Sequence, residues 1–268
     1  MKNGLGALVF HGLFIAFIVA PIIVVCLVAF TPEGYLSIPT RSFSLRWFYA
    51  ISENSQFLEA FLQSARLAVI SAAVSVLLIV PSAFAIARYT FPGRSIIVSI
   101  LQAPLMIPPV VLGIAFLRFL SECGLSATFT GLVLCHAIFV TPFVLRVVLA
   151  SSTGLDTSLE NAATSLGASR PTVFRRVIFP IILPAIATAW VLAFITSFDE
   201  LTMTTFVAAP NTITLPVRLF LYIQDNIDPL VAAVSAILII AAVAVMIVLD
   251  CIVGLDRLLV GTSGDHSS

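Results

Sequence analysis

The sequence predicts an all-α polytopic membrane protein with six transmembrane helices, and three observations carry that expectation. Of 268 residues, 60% are hydrophobic and only 10% are charged, against about 25% charge in a soluble domain. The mean hydropathy is +1.15. The apolar residues also gather into six runs, at 8–30, 65–87, 96–120, 129–149, 181–207 and 230–253. Each is long enough for a helix rising about 1.5 Å per residue to cross about 30 Å of hydrocarbon. Finally, the runs are continuous and do not alternate with polar residues. Backbone in hydrocarbon must satisfy its own hydrogen bonds, so such runs read as helices and not as barrel strands.

Residues 1–30 form the first transmembrane helix. The run is long for the apolar region of a signal peptide, no small-x-small cleavage site follows it, and bulky Val24 and Val25 before Cys26 do not resemble an acylation site. Residues 31–64 carry Pro32, Gly34, Pro39, Trp47 and Tyr49, the composition of an outer, periplasmic loop at the level of the lipid headgroups. The core is assigned to residues 65–253. Within it, Pro104, Pro108 and Pro109 each remove a backbone donor from the third run and bend or open it, for packing or to line a pathway. Arg118 and Glu122 stand in the i, i+4 relation of a surface pair.

In the fifth run, Asp199 and Glu200 are the only acidic residues. The eighteen steps from Ile181 to Asp199 cover about 27 Å of helix, so a helix continuing to Val207 holds both carboxylates in its outer half. There they either face a pathway, as ionisable groups at membrane depth usually do, or sit solvated at the outer interface. With the N-terminus inside, eight cations (Lys2, Arg88, Arg94, Arg146, Arg170, Arg175, Arg176, Arg257) lie in the cytoplasm. Five (Arg41, Arg46, Arg66, Arg118, Arg218) lie outside. This bias places both termini in the cytoplasm. Residues 254–268 form a cytoplasmic tail whose polar end, 261–268, is expected to be disordered.

Several functions are excluded by inventory. Thirteen cations balance thirteen acids, which leaves no cationic surface for nucleic acid. Lys2 is the single lysine, so the body of the protein holds none for a P-loop or a Schiff base. Cys26, Cys123, Cys135 and Cys251 are dispersed and read as small buried hydrophobes. His11, His136 and His266 have no second ligand at i+3 or i+4, so no metal site is expected. The nucleophile-elbow, zinc-protease and phosphate-loop motifs are missing, so the chain is expected to have no catalytic residues and no nucleotide site of its own.

The loop at 150–180 is the most informative stretch. Asp156, Thr157 or Ser158 can cap a helix start, and Gly167 suits the left-handed residue that ends one, which predicts a helix of about three turns. Leu159, Ala162, Ala163 and Leu166 recur at i, i+3, i+4 and i+7, forming one apolar face of small residues. Such a helix either lies on the bilayer or docks on a protein. Alanines, in place of the aromatic residues that anchor interfacial helices, favour the protein partner. Ser169 can cap a second helix with Pro171 in its first turn and Arg175 and Arg176 near the membrane surface.

The stretch Glu160-Asn161-Ala162-Ala163-Thr164-Ser165-Leu166-Gly167, nine residues, then Val177-Ile178-Phe179-Pro180, resembles the EAA loop of binding-protein-dependent ABC importer permeases. The family pattern is E-A-A, three residues, G, nine residues, I-x-L-P. Ala162, Ala163, Gly167 and Pro180 match in place, while Val177 and Phe179 are apolar substitutes. Asn161 stands where the family has its glutamate, and the neighbouring Glu160 points about 100° further round the helix. The resemblance implies the type I ABC importer permease fold in a bacterial inner membrane, with Glu160, Asn161, Ala162, Ala163 and Gly167 in a coupling helix that docks on an ATPase. It further implies a second permease subunit, a cytoplasmic ATPase dimer that binds the ATP, and a periplasmic solute-binding protein as partners, with no cofactor on this chain. Ser197-Phe198-Asp199-Glu200-Leu201 and Phe206-Val207 look most like the second permease subunit of spermidine/putrescine-type importers. That likeness implies a polyamine substrate, with Asp199 and Glu200 on its pathway. Two alternatives stay open: the same architecture importing ferric iron, sulfate, thiamine or an opine, and a stand-alone secondary transporter.

Overall fold

A computed structural model describes residues 4–39 and 42–253, all of them helix or connecting loop with no strand among the described residues. Lys2, Arg41, Arg257, His266, the tail at 254–268 and the side chain of Cys251 lie outside that description. The chain divides into two compact units, one of residues up to 55 and from 221 onward, the other of residues 56–220.

In the first unit, α1 (Leu5–Val28) and α2 (Arg46–Glu53) pack against α12 (Leu230–Val253). Along α1 the side chains of Phe10, Leu13, Phe14 and Phe17 are more than half exposed. Such a continuous apolar surface requires hydrocarbon or a protein partner around it. Trp47, expected in an outer loop, is instead buried in α2, with the Arg46 guanidinium 4.9 Å from its ring centre. Asp228 caps the start of α12 by accepting from the Leu230 N–H at 3.0 Å and from the Tyr222 hydroxyl at 2.7 Å. Burial, the hydrogen bond to Asp228 and its charge together push the Tyr222 hydroxyl up to about 12.

The second unit begins in α3 (Ser55–Arg88) and continues through α4 (Arg94–Met106), α5 (Pro109–Glu122), α6 (Phe129–Thr153), α7 (Thr157–Ser165), α8 (Arg170–Val173), a π turn (Phe174–Ile178), α9 (Phe179–Phe198) and α10 (Thr204–Val207). The eleventh helix, α11 (Leu215–Asp225), crosses the boundary between the units. The core lies where α6 packs on α4 and α9. Ala72 and Ala83 from α3, Val140, Val144 and Val148 from α6, and Ala189 and Ala193 from α9 share one buried cluster. The alanines of α3 and α9 let the helix backbones approach closely, which favours helix association where no water is available to be expelled.

Among the described residues, four helices are long and apolar enough to cross a membrane: Gly6–Val28, Ser55–Arg88, Phe129–Thr153 and Arg170–Phe198. The count rises to five when α4 and α5 are taken as one bent span. Three boundaries differ from the sequence expectation. The helix of the second apolar run, α3, starts at Ser55, ten residues before that run. The third run is broken by a 107° bend between α4 and α5. Pro104 is carried inside α4, whereas the consecutive Pro108 and Pro109 stop the helix. Neither of the latter can donate, and a proline forces the residue before it, Ile107, into extended backbone. Finally, α9 ends at Phe198 and does not continue to Val207. Arg118 and Glu122 pair at 2.9 Å on the exposed end of α5, and Cys123, expected to be buried, is exposed beside them.

Gly131 seats α6 against the preceding turn. A Cβ there would meet the Leu125 carbonyl oxygen at 2.5 Å. That oxygen is fixed by the Thr128 hydroxyl donating to it at 2.7 Å, while Thr128 Oγ1 accepts from the Gly131 N–H at 3.0 Å. Gly131→Ala is therefore expected to lower the thermal midpoint. Overpacking of about 1–3 kcal/mol outweighs the roughly 1 kcal/mol of helix propensity that alanine returns. Thermal unfolding in detergent checks this against Gly12→Ala, where nothing lies within 4 Å of the added methyl and no loss is expected.

Candidate functional site

Helix α7 is held at both ends by its own sequence. Asp156 accepts from the Ser158 N–H at 2.8 Å and the Ser158 hydroxyl at 2.6 Å, which supplies one of the helix's unpaired amides with a partner. The Ser158 hydroxyl, and then its N–H, hold the Asp156 carboxyl below the usual carboxylate range. A depressed folded-state value makes this cap fully present above the ordinary aspartate range and removes it as the pH falls into acid. At the other end Gly167 adopts φ +86°. Its N–H reaches the Thr164 carbonyl at 2.9 Å and the Ala168 N–H reaches the Ala163 carbonyl at 3.1 Å, the paired bonds of a Schellman ending.

The apolar face expected on this helix is divided by the fold. Ala163, together with Ala168 beyond the helix, packs on the buried cluster of Val173, Ile178 and Ile182. Leu159 is 46% exposed, Leu166 is 89% exposed and Ala162 is exposed beside them. Asn161 is exposed too. Glu160 turns inward, where its carboxylate lies 2.6 Å from the Arg88 guanidinium at the end of α3; the two side chains are 29% and 12% exposed. Arg88 also donates to the Leu155 carbonyl at 3.3 Å. One arginine thus grips both the helix and the strand of chain leading into it. A cleft of about 620 Å³ opens beside this pair, lined by Phe84, Tyr89, Asn161, Thr164, Arg170 and Phe174.

Asp199 and Glu200 lie beyond the far end of α9, a helix of 20 residues and so about 30 Å long. Asp199 is exposed and caps the helix, its N–H donating to the Ile195 carbonyl. Glu200, 7% exposed, folds back on the next turn. Its two oxygens accept from the Met203 and Thr204 N–H groups, both at 2.8 Å, and from the Thr204 hydroxyl at 2.6 Å. The two acids expected to act together are therefore separated, one presented outward and one consumed in holding the turn. Gly113 of α5 lets this turn pack closely, since a Cβ there would be 3.0 Å from the Met203 carbonyl oxygen.

Sequence reasoning did not single out Arg88 as a partner of Glu160, nor Thr204, and it weighed His136 only as a metal ligand. His136 is fully buried between Ser197 and Thr204. A lone histidine in an apolar run is the signal that was present, because a buried ring must find partners for both nitrogens.

Residues 79–255 match the family described as binding-protein-dependent transport system inner membrane component. The spermidine/putrescine transport system permease protein PotC of Escherichia coli K12 is 30% identical over 250 residues, covering 93% of this chain and 94% of that protein. The putrescine transport system permease protein PotI of the same organism is 29% identical over 237 residues, covering 86% of this chain and 84% of its own length. A bacterial ABC transporter involved in the import of the acidic polysaccharide alginate matches in structure with a TM-score of 0.72 at 19% identity, over 93% of this chain and 94% of that one. The MetNI methionine ABC transporter in an inward-facing conformation matches with a TM-score of 0.59 at 19% identity, over 70% and 90%. At that identity the likeness is one of fold. Family membership leaves the stand-alone secondary transporter without support. By its matched residues and its length-wide relatives, the chain belongs to the binding-protein-dependent transport system inner membrane components, the multi-pass permeases of ABC importers.

Proposed function

We propose that this protein is a pathway-forming subunit of a polyamine importer, crossing the membrane six times with both termini in the cytoplasm, and that α7 couples it to a separate ATPase. The observation that carries the coupling assignment is the geometry of α7. The helix is capped at both ends, tied to α3 through Arg88, and presents Leu159, Ala162 and Leu166 on its exposed side. A rigid helix with a small apolar tip suits insertion into a protein groove. Ala163 and Gly167 set its seat and its end, Asn161 offers a neutral amide to the partner, and Glu160 acts internally. ATP is bound by the partner ATPase dimer. A second permease completes the pathway, and a periplasmic binding protein delivers the solute. Closure of the ATPase dimer then draws the coupling helices together and switches the two permeases as rigid bodies.

The polyamine assignment draws on the names of the relatives and on Asp199, an exposed carboxylate at a helix end where a cationic solute would be attracted. The test is to reconstitute the chain with its second permease, ATPase and binding protein in liposomes and to measure ATP hydrolysis with spermidine. Stimulation by spermidine-loaded binding protein is expected. ATP hydrolysis indifferent to spermidine would remove the substrate class, and failure of the ATPase to bind would remove the coupling role. In the same liposomes, Asp199→Asn is expected to raise the KM for spermidine about threefold to tenfold, the worth of roughly 1 kcal/mol of charge attraction, with the complex still assembled. Uptake identical to the unmodified protein would take Asp199 off the pathway.

A further inference from the structure

His136 lies in α6 with no exposed surface, and neither the coupling helix nor the outward carboxylate explains it. Its Nδ1 is 2.8 Å from Ser197 Oγ at the end of α9, and its Nε2 is 3.0 Å from Thr204 Oγ1 at the start of α10. Thr204 Oγ1 is in turn 2.6 Å from Glu200 Oε2. All four residues are buried: His136 and Thr204 completely, Ser197 to 2% and Glu200 to 7% exposure.

The protons in this chain can be placed by counting. Both Glu200 oxygens accept backbone N–H groups, the arrangement of an acceptor-only carboxylate. The Thr204 hydroxyl has one hydrogen and directs it to Oε2, so toward the ring it can only accept. Nε2 must therefore carry a proton. Among the described residues Ser197 Oγ has no hydrogen-bond partner but the ring, and at 2% exposure its own hydrogen needs an acceptor, because a buried unpaired donor is costly. That acceptor is an unprotonated Nδ1. The opposite order, starting from a protonated Glu200, would have Nδ1–H donate to Ser197 Oγ and leave the serine's own hydrogen without an acceptor among the described residues.

We propose that His136, as the neutral Nε2–H tautomer, is a positioning residue. It closes a one-way chain of donors, Ser197 to His136 to Thr204 to Glu200, that clamps the turn after α9 onto α6 and so determines where Asp199 is presented. The positioning role rests on the pathway reading of Asp199, whereas the tautomer does not. The chain explains why α9 stops at Phe198 although Leu201, Met203, Phe206 and Val207 would continue an apolar helix. The Glu200 side chain takes the Met203 and Thr204 amides, and the histidine holds Thr204 in place to complete the arrangement.

The test uses the full transporter complex in lipid with nitrogen-15-labelled histidine. The chain has three histidines, and the His136 signals are identified by their loss in His136→Gln. One protonated and one unprotonated ring nitrogen are expected, with Thr204→Val perturbing the protonated Nε2 and Ser197→Ala the unprotonated Nδ1. An Nδ1–H tautomer or a doubly protonated ring would overturn the chain. Thr204→Val is also expected to raise the KM for spermidine uptake about threefold to tenfold while kcat changes little, and Thr204→Ser, which keeps the hydroxyl, to restore it. The expected tautomer with an unchanged KM in Thr204→Val would overturn the positioning role. If the unmodified complex does not take up spermidine, the polyamine reading fails on its own and the nitrogen signals alone decide the proposal.

Discussion

Gly167→Val is expected to abolish solute-stimulated ATP hydrolysis in the reconstituted transporter while the permease still inserts and pairs. The glycine has φ +86°, where a β-branched residue is strained by about 1–3 kcal/mol. Relief of that strain requires the turn to unwind. Unwinding would break the bonds from Gly167 to Thr164 and from Ala168 to Ala163 and lift Ala163 and Ala168 from Val173, Ile178 and Ile182. Leu166, 89% exposed, would move with them. Nothing lies within 4 Å of the added Cβ, so the effect comes from backbone conformation and from the partner surface, not from crowding within this chain. Gly167→Asn, which tolerates left-handed backbone, separates these causes. It should retain most of the coupling if backbone conformation dominates. If steric fit to the ATPase dominates, it should fail as the valine does.

Breaking the Arg88–Glu160 pair should have the second large consequence. Both side chains are less than one third exposed and their charged atoms are 2.6 Å apart, so an ion pair of about 1–2 kcal/mol is expected. Arg88→Met leaves the carboxylate unpartnered and frees the Leu155 carbonyl, and Glu160→Gln leaves the guanidinium charge. Each variant is expected to weaken ATPase binding roughly tenfold, since about 1.4 kcal/mol is one decade in affinity. The double variant should be little worse than either single one. Strictly additive losses in binding measured with detergent-solubilised permease would mean that the two residues act separately. Glu160 would then be a contact to the partner and not a strut within the permease.

What could be read from the sequence divides along the range of the interactions. The apolar runs were legible because burial in hydrocarbon acts on composition over about twenty residues at a time. The start and end of α7 were legible because Asp156 and Gly167 act on neighbours two to five residues away. The partners of Glu160 and His136 were not, because they come from positions 61 to 72 residues distant in the chain, and no local pattern specifies which helices will pack. The end of α9 was misjudged for a different reason. Asp199 and Glu200 were read as charges to be placed in or out of lipid, whereas Glu200 is a backbone acceptor that terminates the helix by competing for its amides. The break at Pro108 and Pro109 was foreseeable as a bend, but its angle is set by how α5 packs on α10, with Gly113 lying against Met203.

The widened turn between α8 and α9 has a mechanical meaning. Pro180 has no N–H to offer the Arg176 carbonyl, and its ring crowds that group; the preceding turn relaxes into π geometry, in which the Phe179 N–H reaches back to Phe174. A π turn stores one residue more than the α-helix needs for the same advance. Releasing that residue into regular helix would advance the screw by one step, about 1.5 Å along and 100° around. One residue of helix is thus held in reserve at the junction of α8 and α9, where any change in the length of the turn would rotate α9 about its own axis.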